Sequence, residues 1–525
     1  MASLFGSDGR PDHPCNGLSF ASTHRMIGTP ISTLILPSLF LAAICFAGSC
    51  KAADALNILL FTADDLHAES LGVYGSKVAD LTPNLDKFSA QGMRFERAHV
   101  NNAICVPSRA IIATGLYSHR SGAMGFMHTR PEIPNLIDTF KQNDYLTGIL
   151  GKVSHSTPKE TTEWDYAFDQ KELGNGRNPE IYYQRSKVFL ERCKKENRPF
   201  YFMVNSHDPH RPFCNPKKLT KGAAMPSQIY KPSEVSVPGF LPDLPGVRKE
   251  IAMYLNSTRR LDDTFGKVMQ ALDELGYADN TLVIFLSDNG IAVPFAKCNT
   301  WFHSSRTPFL VRWPNEIKAG SVNKHDFISE VDLAPSLIEL TGIKGMTELD
   351  GQSIVPLLKG EKQDGREYVY TQIDAKAGGA AVPMRAVQNN KFIYIYNAFS
   401  DGQVIYKNNN EGLCMKAMVN AAAEDPEIAA RVDLFRKRIP EEFYNLKKDP
   451  NCLVNLMDNP KYMKNIQVLQ EKLVIQMTKT VDPMLKAFNN RNDRAIVDQV
   501  LVDTYGELKS VKKKRKKKEM KKDLQ

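Results

Sequence analysis

The sequence predicts an α/β fold: a large mixed, mostly parallel sheet flanked by helices, followed by a smaller α+β domain with an antiparallel sheet. Three observations carry this reading. Four apolar runs are continuous rather than alternating, as expected of strands buried on both faces. Helical patterns separate these runs, which is the alternation that builds a parallel sheet. Near residue 365 the texture changes to short strand-like runs joined by turns.

The first run, LNILLFTADD (56–65), ends in Asp64 and Asp65. TPNLDKFSAQG (82–92) reads as a helix, with Thr82 placed to cap it and Pro83 suited to its first turn. CVPSRAIIATG follows as a second helix beginning at Cys105, with Pro107 near its first turn. The second run, LTGILGKVSH (146–155), ends in Lys152 and His155; the third, FYFMVNSHDPH (200–210), ends in His207, Asp208 and His210. A long helix is expected from about Val247, with Gly276 as its stop, and the fourth run, TLVIFLSDNG (281–290), ends in Asp288 and Asn289. Further on, REYVYTQ, MRAVQNNKFIYIYN and EEFYNLKKDP read as short strands, with a helix around 455–480. DAKAGGAAVP (374–383) reads as a flexible loop able to reach the strand ends. The division this implies is a leader over 1–53, a large α/β domain over 54–365, a smaller α+β domain over 366–500 and a basic, disordered tail over 501–525.

The composition, 42% hydrophobic and 24% charged, is that of a globular chain with ample core. Its net charge of +9 is concentrated at the carboxyl end, where Lys509 to Gln525 holds ten Lys and Arg against Glu519 and Asp523. The body is then close to neutral, which argues against a nucleic-acid-binding face. The tail is free to contact polyanions or anionic surfaces. ISTLILPSLFLAAICFAG (31–48) has the form of an export signal, interrupted by Pro37 and followed by small residues. The polar stretch before Met26 leaves both Met1 and Met26 as starts. AGSC (47–50) has a weak likeness to a lipoprotein processing site at Cys50, without the usual leucine three residues earlier. The remaining cysteines are scattered, so no disulfide framework or cysteine zinc site is indicated.

In a sheet of this kind ligands gather at the carboxyl ends of the strands. All four polar clusters stand there. Asp64, Asp65, Asp288 and Asn289 are hard oxygen donors suited to Ca²⁺ or Mg²⁺. Each aspartate alone reads equally as a strand-end cap. Together, three carboxylates without a cation would repel one another. Cys105 starts a helix, where free N–H donors and the positive dipole favour an anion or a thiolate. A cysteine hydrolase, however, needs an adjacent histidine base, and an oxygen-rich divalent site suits a thiol poorly.

CVPSR at 105–109, continuing to ATG and Leu116, resembles the C-x-P-S-R signature of the type I sulfatases. The paired aspartates, GK with a following histidine, PH and DNG agree with that family in order, over roughly residues 56 to 460. GKVSH places His155 as in the iduronate-sulfatase-like branch. HDPHR (207–211) and SDNGIAVPFAKCN (287–299) are most similar to the heparan N-sulfatase branch, which has an arginine at the position of Lys297. The resemblance implies an alkaline-phosphatase-like fold and conversion of Cys105 to formylglycine by a formylglycine-generating enzyme. It implies Ca²⁺, or Mg²⁺, held by Asp64, Asp65, Asp288, Asn289 and a hydroxyl of the modified Cys105. Arg109 would orient the nucleophile, and Lys152 and Lys297 would clamp the sulfate oxygens. His210 would be the general acid and His155 the base that helps the sulfated hydrate collapse. His207, Asp208, Arg211 and His303 are candidate substrate contacts. The implied activity is that of an exported sulfatase, periplasmic or secreted, hydrolysing sulfate esters or sulfamates of a carbohydrate such as a sulfated polysaccharide or glycosaminoglycan. The alternatives are a phosphodiester or phosphonate hydrolase of the same superfamily, or a non-catalytic sulfated-glycan binder if Cys105 stays a thiol.

Overall fold

The computed structural model describes residues 55–409 and 411–506. The expected leader, including Cys50 and both candidate starts, and all of the tail after residue 506 lie outside the described residues.

The four apolar runs become Asn57–Asp64, Leu146–Leu150, Phe200–Pro209 and Thr281–Ser287, and every residue in them is buried. They are mutually parallel and adjacent, in the order 146–150, 200–209, 57–64, 281–287. The sheet has eight strands. Phe309–Arg312 is the antiparallel member, pairing with Thr281–Ser287 on one side and Met93–Phe95 on the other. The sheet is therefore mixed and mostly parallel, as predicted. The short strands Met93–Phe95, Tyr166–Phe168 and Ser321–Asn323 have no counterpart in the sequence reading, because three residues show no period.

Helices cover both faces. On one, Phe61 and Phe285 pack against Phe265 of the long helix Pro245–Glu274. This helix ends as expected: Gly276 takes the left-handed conformation at φ 79°, and its N–H donates to the Asp273 carbonyl at 3.1 Å. The helix Pro83–Ala90 departs from expectation at its cap. Pro83 opens it, but the Thr82 hydroxyl is engaged elsewhere, accepting from Gly72 N at 3.0 Å and facing Asp86 at 3.3 Å. The cap comes from another helix. Asp262 accepts from Asn84 N at 3.1 Å and Leu85 N at 2.8 Å, satisfying donors a helix start leaves free.

The carboxyl-terminal strands Val369–Ala375, Ala381–Gln388, Phe392–Asn397 and Glu441–Asn445 form a separate antiparallel sheet in that order. The stretch expected as a loop at 374–383 is a tight hairpin: Ala375 pairs with Ala381, and its turn lies against Cys298, beside Lys297. Helix Met463–Lys479 packs Leu469 and Leu473 into the core shared with this sheet. Residues 494–506 are also helical, and the buried Tyr505 donates to Asp374 at 2.8 Å. Packed structure thus runs past residue 500, where the sequence reading starts the tail.

Asp262→Ala should lower stability by about 2 kcal/mol through loss of the shared cap. A denaturant midpoint equal to that of the wild type would contradict this role.

Candidate active site

Parallel register sets the site. Ala63 lies opposite Ser287, and Phe61 and Leu150 both lie opposite Val204. The chain therefore leaves all four central strands at one edge, and Asp64, Asp65, Lys152, His210, Asp288 and Asn289 emerge there together.

Asp64, Asp65 and Asp288 are each 0% exposed. Ligand atoms of Asp64, Asp65, Cys105 and His210 lie within 4.8 Å of one another. Asn289 joins them, donating from Nδ2 to Asp65 Oδ1 at 2.7 Å while its Oδ1 stands 3.9 Å from Cys105 Sγ. Asp65 Oδ2 is buried without a hydrogen bond; His210 Nε2 is 3.8 Å away. Asp64 Oδ2 is matched by the Lys152 ammonium as an ion pair. Burial pushes the Asp288 carboxyl up to about 7, with the Asp64 charge adding and Arg109 opposing. Burial would also raise Asp64, but Lys152, His210, Lys297 and Arg109 outweigh it and hold that carboxyl well below its usual range. An orphaned carboxylate oxygen, a carboxyl driven upward by burial and then by its neighbour's charge, and an all-oxygen donor set fit a hard divalent cation held by Asp64, Asp65, Asp288 and Asn289.

Cys105 is the first residue of helix Cys105–Thr114. Its Sγ lies 3.5 Å from Asp64 Oδ1 and 3.2 Å from Lys297 Nζ. Burial raises the thiol well above its ordinary range; Lys297 opposes this, while Asp64, Asp288 and Asp65 add to it. These surroundings favour the protonated thiol over the thiolate and so work against an unmodified cysteine nucleophile. One turn on, Arg109 shares its face. Its guanidinium donates to Asp288 Oδ2 at 2.9 and 3.2 Å, to Thr62 Oγ1 at 2.9 Å and to Asn205 Oδ1 at 2.6 Å.

Two basic groups face the carboxylates. Lys297 donates to Asp65 Oδ1, and Lys152 pairs with Asp64. The backbone that presents them is unusual. Asp65 (φ 69°), Lys152 (φ 52°) and Cys298 (φ 64°) are left-handed, a conformation that costs a non-glycine residue of the order of 1 kcal/mol or more. Each has its N–H held by a fixed acceptor: Asp288 Oδ1 at 3.1 Å, His207 Nε2 at 3.2 Å and the Ala103 carbonyl at 2.8 Å. Gly151, also left-handed, is required: a Cβ there would meet the Asn205 carbonyl oxygen at 2.3 Å.

The remaining predicted residues divide. His210 stands at the carboxylates, its Nδ1 2.6 Å from the Arg211 carbonyl. His155 lines a cavity of about 190 Å³ with Val106, Ala110, Phe126 and His128, and burial lowers it to about 3. His207 serves the scaffold, through the bond to Lys152. Asp208, expected at the substrate, is fully buried between Arg260 (2.7 and 2.9 Å) and Arg177 (3.4 Å), so its charge is spent inside the protein. Arg211 pairs with Glu250 at 2.7 Å and lines a separate cavity of about 700 Å³. His303 is not among the carboxylates; it meets His67 at 3.0 Å and Asn451 at 3.2 Å.

Other residues escaped the sequence reading. Asn205 accepts from both Arg109 and Thr62 and donates to the Gly151 carbonyl at 2.9 Å, tying three strand ends together. Its signal was an asparagine inside an apolar run. Glu330 accepts from Ser108 Oγ at 2.6 Å and from Asn101 N at 2.9 Å, clamping the Cys105 helix, and burial raises its carboxyl well above the usual range. Nothing in the local sequence marks it.

The sulfatase family model matches residues 56–343. The chain belongs to the sulfatase family. This sulfatase is a sulfuric ester hydrolase, and a second model, for the carboxyl-terminal part of N-sulphoglucosamine sulphohydrolases, matches its residues 294–439. It is 28% identical to the human N-sulphoglucosamine sulphohydrolase over 481 residues, covering 84% of this chain and 93% of that one. An ulvan-active sulfatase of Formosa agariphila is 27% identical over 424 residues, with 80% and 79% covered. Among solved structures, one in complex with its substrate D-glucosamine-2-N,6-O-disulfate superposes with a TM-score of 0.61 at 18% identity, covering 82% and 98%. The phosphonate monoester hydrolase of Agrobacterium radiobacter superposes at 0.59 and 18%, covering 81% and 96%. At these identities the structures establish the shared fold.

Asn205→Ala removes the buried amide oxygen that Arg109 and Thr62 share, leaving Arg109 held by Asp288 and Thr62 alone. The sulfatase should lose about 10- to 100-fold in kcat/KM with an unchanged circular dichroism spectrum. Full activity would show that Arg109 needs no such anchor.

Proposed function

We propose that this sulfatase removes sulfate, as an ester or a sulfamate, from a carbohydrate, using a formylglycine made from Cys105 and a divalent cation held by Asp64, Asp65, Asp288 and Asn289. The observation that carries this is the setting of Cys105: it starts a buried helix beside Asp64 and Lys297, yet its surroundings keep the thiol protonated. The position suits a nucleophile that the unmodified side chain is not. Formylglycine at position 105 would supply, as its hydrate, a nucleophilic hydroxyl and a second hydroxyl whose deprotonation would release sulfate and restore the aldehyde. The cation, for which an all-oxygen set favours Ca²⁺ with Mg²⁺ as the alternative, supplies Lewis-acid neutralisation of the sulfate oxygens.

The protein's own groups do the rest. Lys152 and Lys297 bring two ammonium groups to the carboxylate edge, where they can bind the non-bridging sulfate oxygens. Arg109, held by Thr62 and Asn205, keeps Asp288 in place. The Arg211 carbonyl can only accept, so it fixes the His210 proton on Nδ1. Nε2 is then the atom that gains a proton and delivers it to the departing oxygen or nitrogen. His155 keeps the role of base that helps the sulfated hydrate collapse, although burial and the Lys152 charge lower it to about 3, well below the range in which a general base is most effective.

A carbohydrate substrate is supported by the human sulphohydrolase, the ulvan-active sulfatases and the glucosamine-disulfate complex. The match to the sulphohydrolase carboxyl-terminal model favours an N-sulfated sugar. Export of the enzyme, and division of the body near residue 365, are part of the same proposal and rest on the sequence. The phosphonate hydrolase likeness favours the runner-up, a phosphoryl hydrolase on this fold.

Protein co-expressed with a formylglycine-generating enzyme should show the aldehyde in the Cys105 peptide by mass spectrometry. Cys105→Ala should lose more than about 10³-fold in turnover while staying folded. An intact thiol in an active enzyme would overturn the assignment. Sulfated glucosamines should be hydrolysed faster than an aryl phosphate diester; the reverse order would favour the phosphoryl reading.

A further inference from the structure

We propose that His67, Glu69 and His303 form a second metal site, distinct from the carboxylate cluster, which takes a transition-metal dication such as Zn²⁺. One ligand atom from each of the three residues lies within 4.8 Å of the other two. His67 Nε2 and His303 Nδ1 are 3.0 Å apart, a spacing at which two imidazoles can share one ion. Both histidines are 3% exposed. The ring of Phe240 closes one side, 4.7 Å from His303 and 5.8 Å from His67 between ring centres.

The tautomer of His303 is set from outside the pair. Its Nε2 lies 3.2 Å from Asn451 Oδ1, an oxygen that can only accept, so Nε2 carries the proton and Nδ1 presents its lone pair to His67. A carbonyl holding the far N–H of an imidazole is the usual outer support of a histidine ligand. Without an ion, His67 Nε2–H donates to that lone pair. With one, the His67 proton sits on Nδ1 instead, and both rings stay neutral.

Glu69 supplies the negative charge. Its carboxylate is fixed by Arg306, whose guanidinium is 3.1 Å from Oε1, and Lys77 lines the neighbouring cavity. A cavity of about 340 Å³, lined in part by His67, Glu69, Ser70, Tyr254 and Asn451, reaches two of the three ligands, and an ion and its water could enter from it. Two imidazoles and one carboxylate with room for a water form a zinc-type set. The same donors suit Ca²⁺ poorly, so the two sites would select different metals.

Co²⁺, whose visible absorption reports a four-coordinate nitrogen-containing site, is the probe. Titrated into the full-length protein it should give that absorption with one ion per chain, and added Zn²⁺ should abolish it. Asp288→Asn, altered only in the carboxylate cluster, should retain the signal. His303→Ala should lose it, and Glu69→Gln, a change at an exposed side chain that leaves the core intact, should weaken Co²⁺ binding at least about tenfold. An absent signal in the wild type, equal titrations for wild type and Glu69→Gln, or a signal lost in Asp288→Asn would each overturn the proposal.

Discussion

The structure depends on three carboxylates buried at the end of a parallel sheet. Asp64, Asp65 and Asp288 are wholly out of water, and the chain brings Lys152, Lys297 and Arg109 against them. Charges in such a setting are tolerable only when paired, and removing one partner of a buried pair costs about 3–5 kcal/mol. The site is therefore a balance of charge before it is a catalyst. Three cations answer three carboxylates, yet Asp65 Oδ2 is left without a hydrogen bond and burial, with the Asp64 charge, pushes Asp288 upward, so the cluster keeps oxygen donors that a divalent cation could use.

Much of the surrounding polar core reads as support for this arrangement. Asn205 fixes Arg109 and Thr62 and spans to Gly151; His207 holds the Lys152 backbone; Glu330 clamps the helix of Cys105 through Ser108. Asp208, held by Arg177 and Arg260, braces the strand end from which His210 projects. None of these groups need touch substrate. Their effect is to hold Asp65 and Lys152 in left-handed conformations that neither would keep alone, and so to fix the distances between carboxylates, lysines and nucleophile.

The central strands were legible because burial on both faces leaves an unbroken apolar run, and the polar residues ending each run mark the edge where ligands gather. The helix Pro245–Glu274 was legible from its periodicity and its glycine stop. What sequence could not show was partnership at long range. Asp208 and His303 look like substrate contacts beside a catalytic motif. Only the fold reveals Arg260, 52 positions from Asp208, or His67, 236 positions from His303. The same holds for Thr82, a natural cap by its position, displaced by Asp262 from another helix. The hairpin at 374–383 was hidden by its glycines and alanines, which read as a loop because they have no side chains to show an alternating pattern.

The central claim is that the buried carboxylates form a cation site, and thermal unfolding of the wild type and Asp288→Asn, each in Ca²⁺ and in chelator, tests it most directly. The account predicts that Ca²⁺ raises the wild-type Tm in a concentration-dependent way, since an ion bound to the native state alone stabilises it. It also predicts that Asp288→Asn loses most of that rise. A wild-type Tm equal in Ca²⁺, Mg²⁺ and chelator would contradict the account, as would an undiminished Ca²⁺ response in Asp288→Asn.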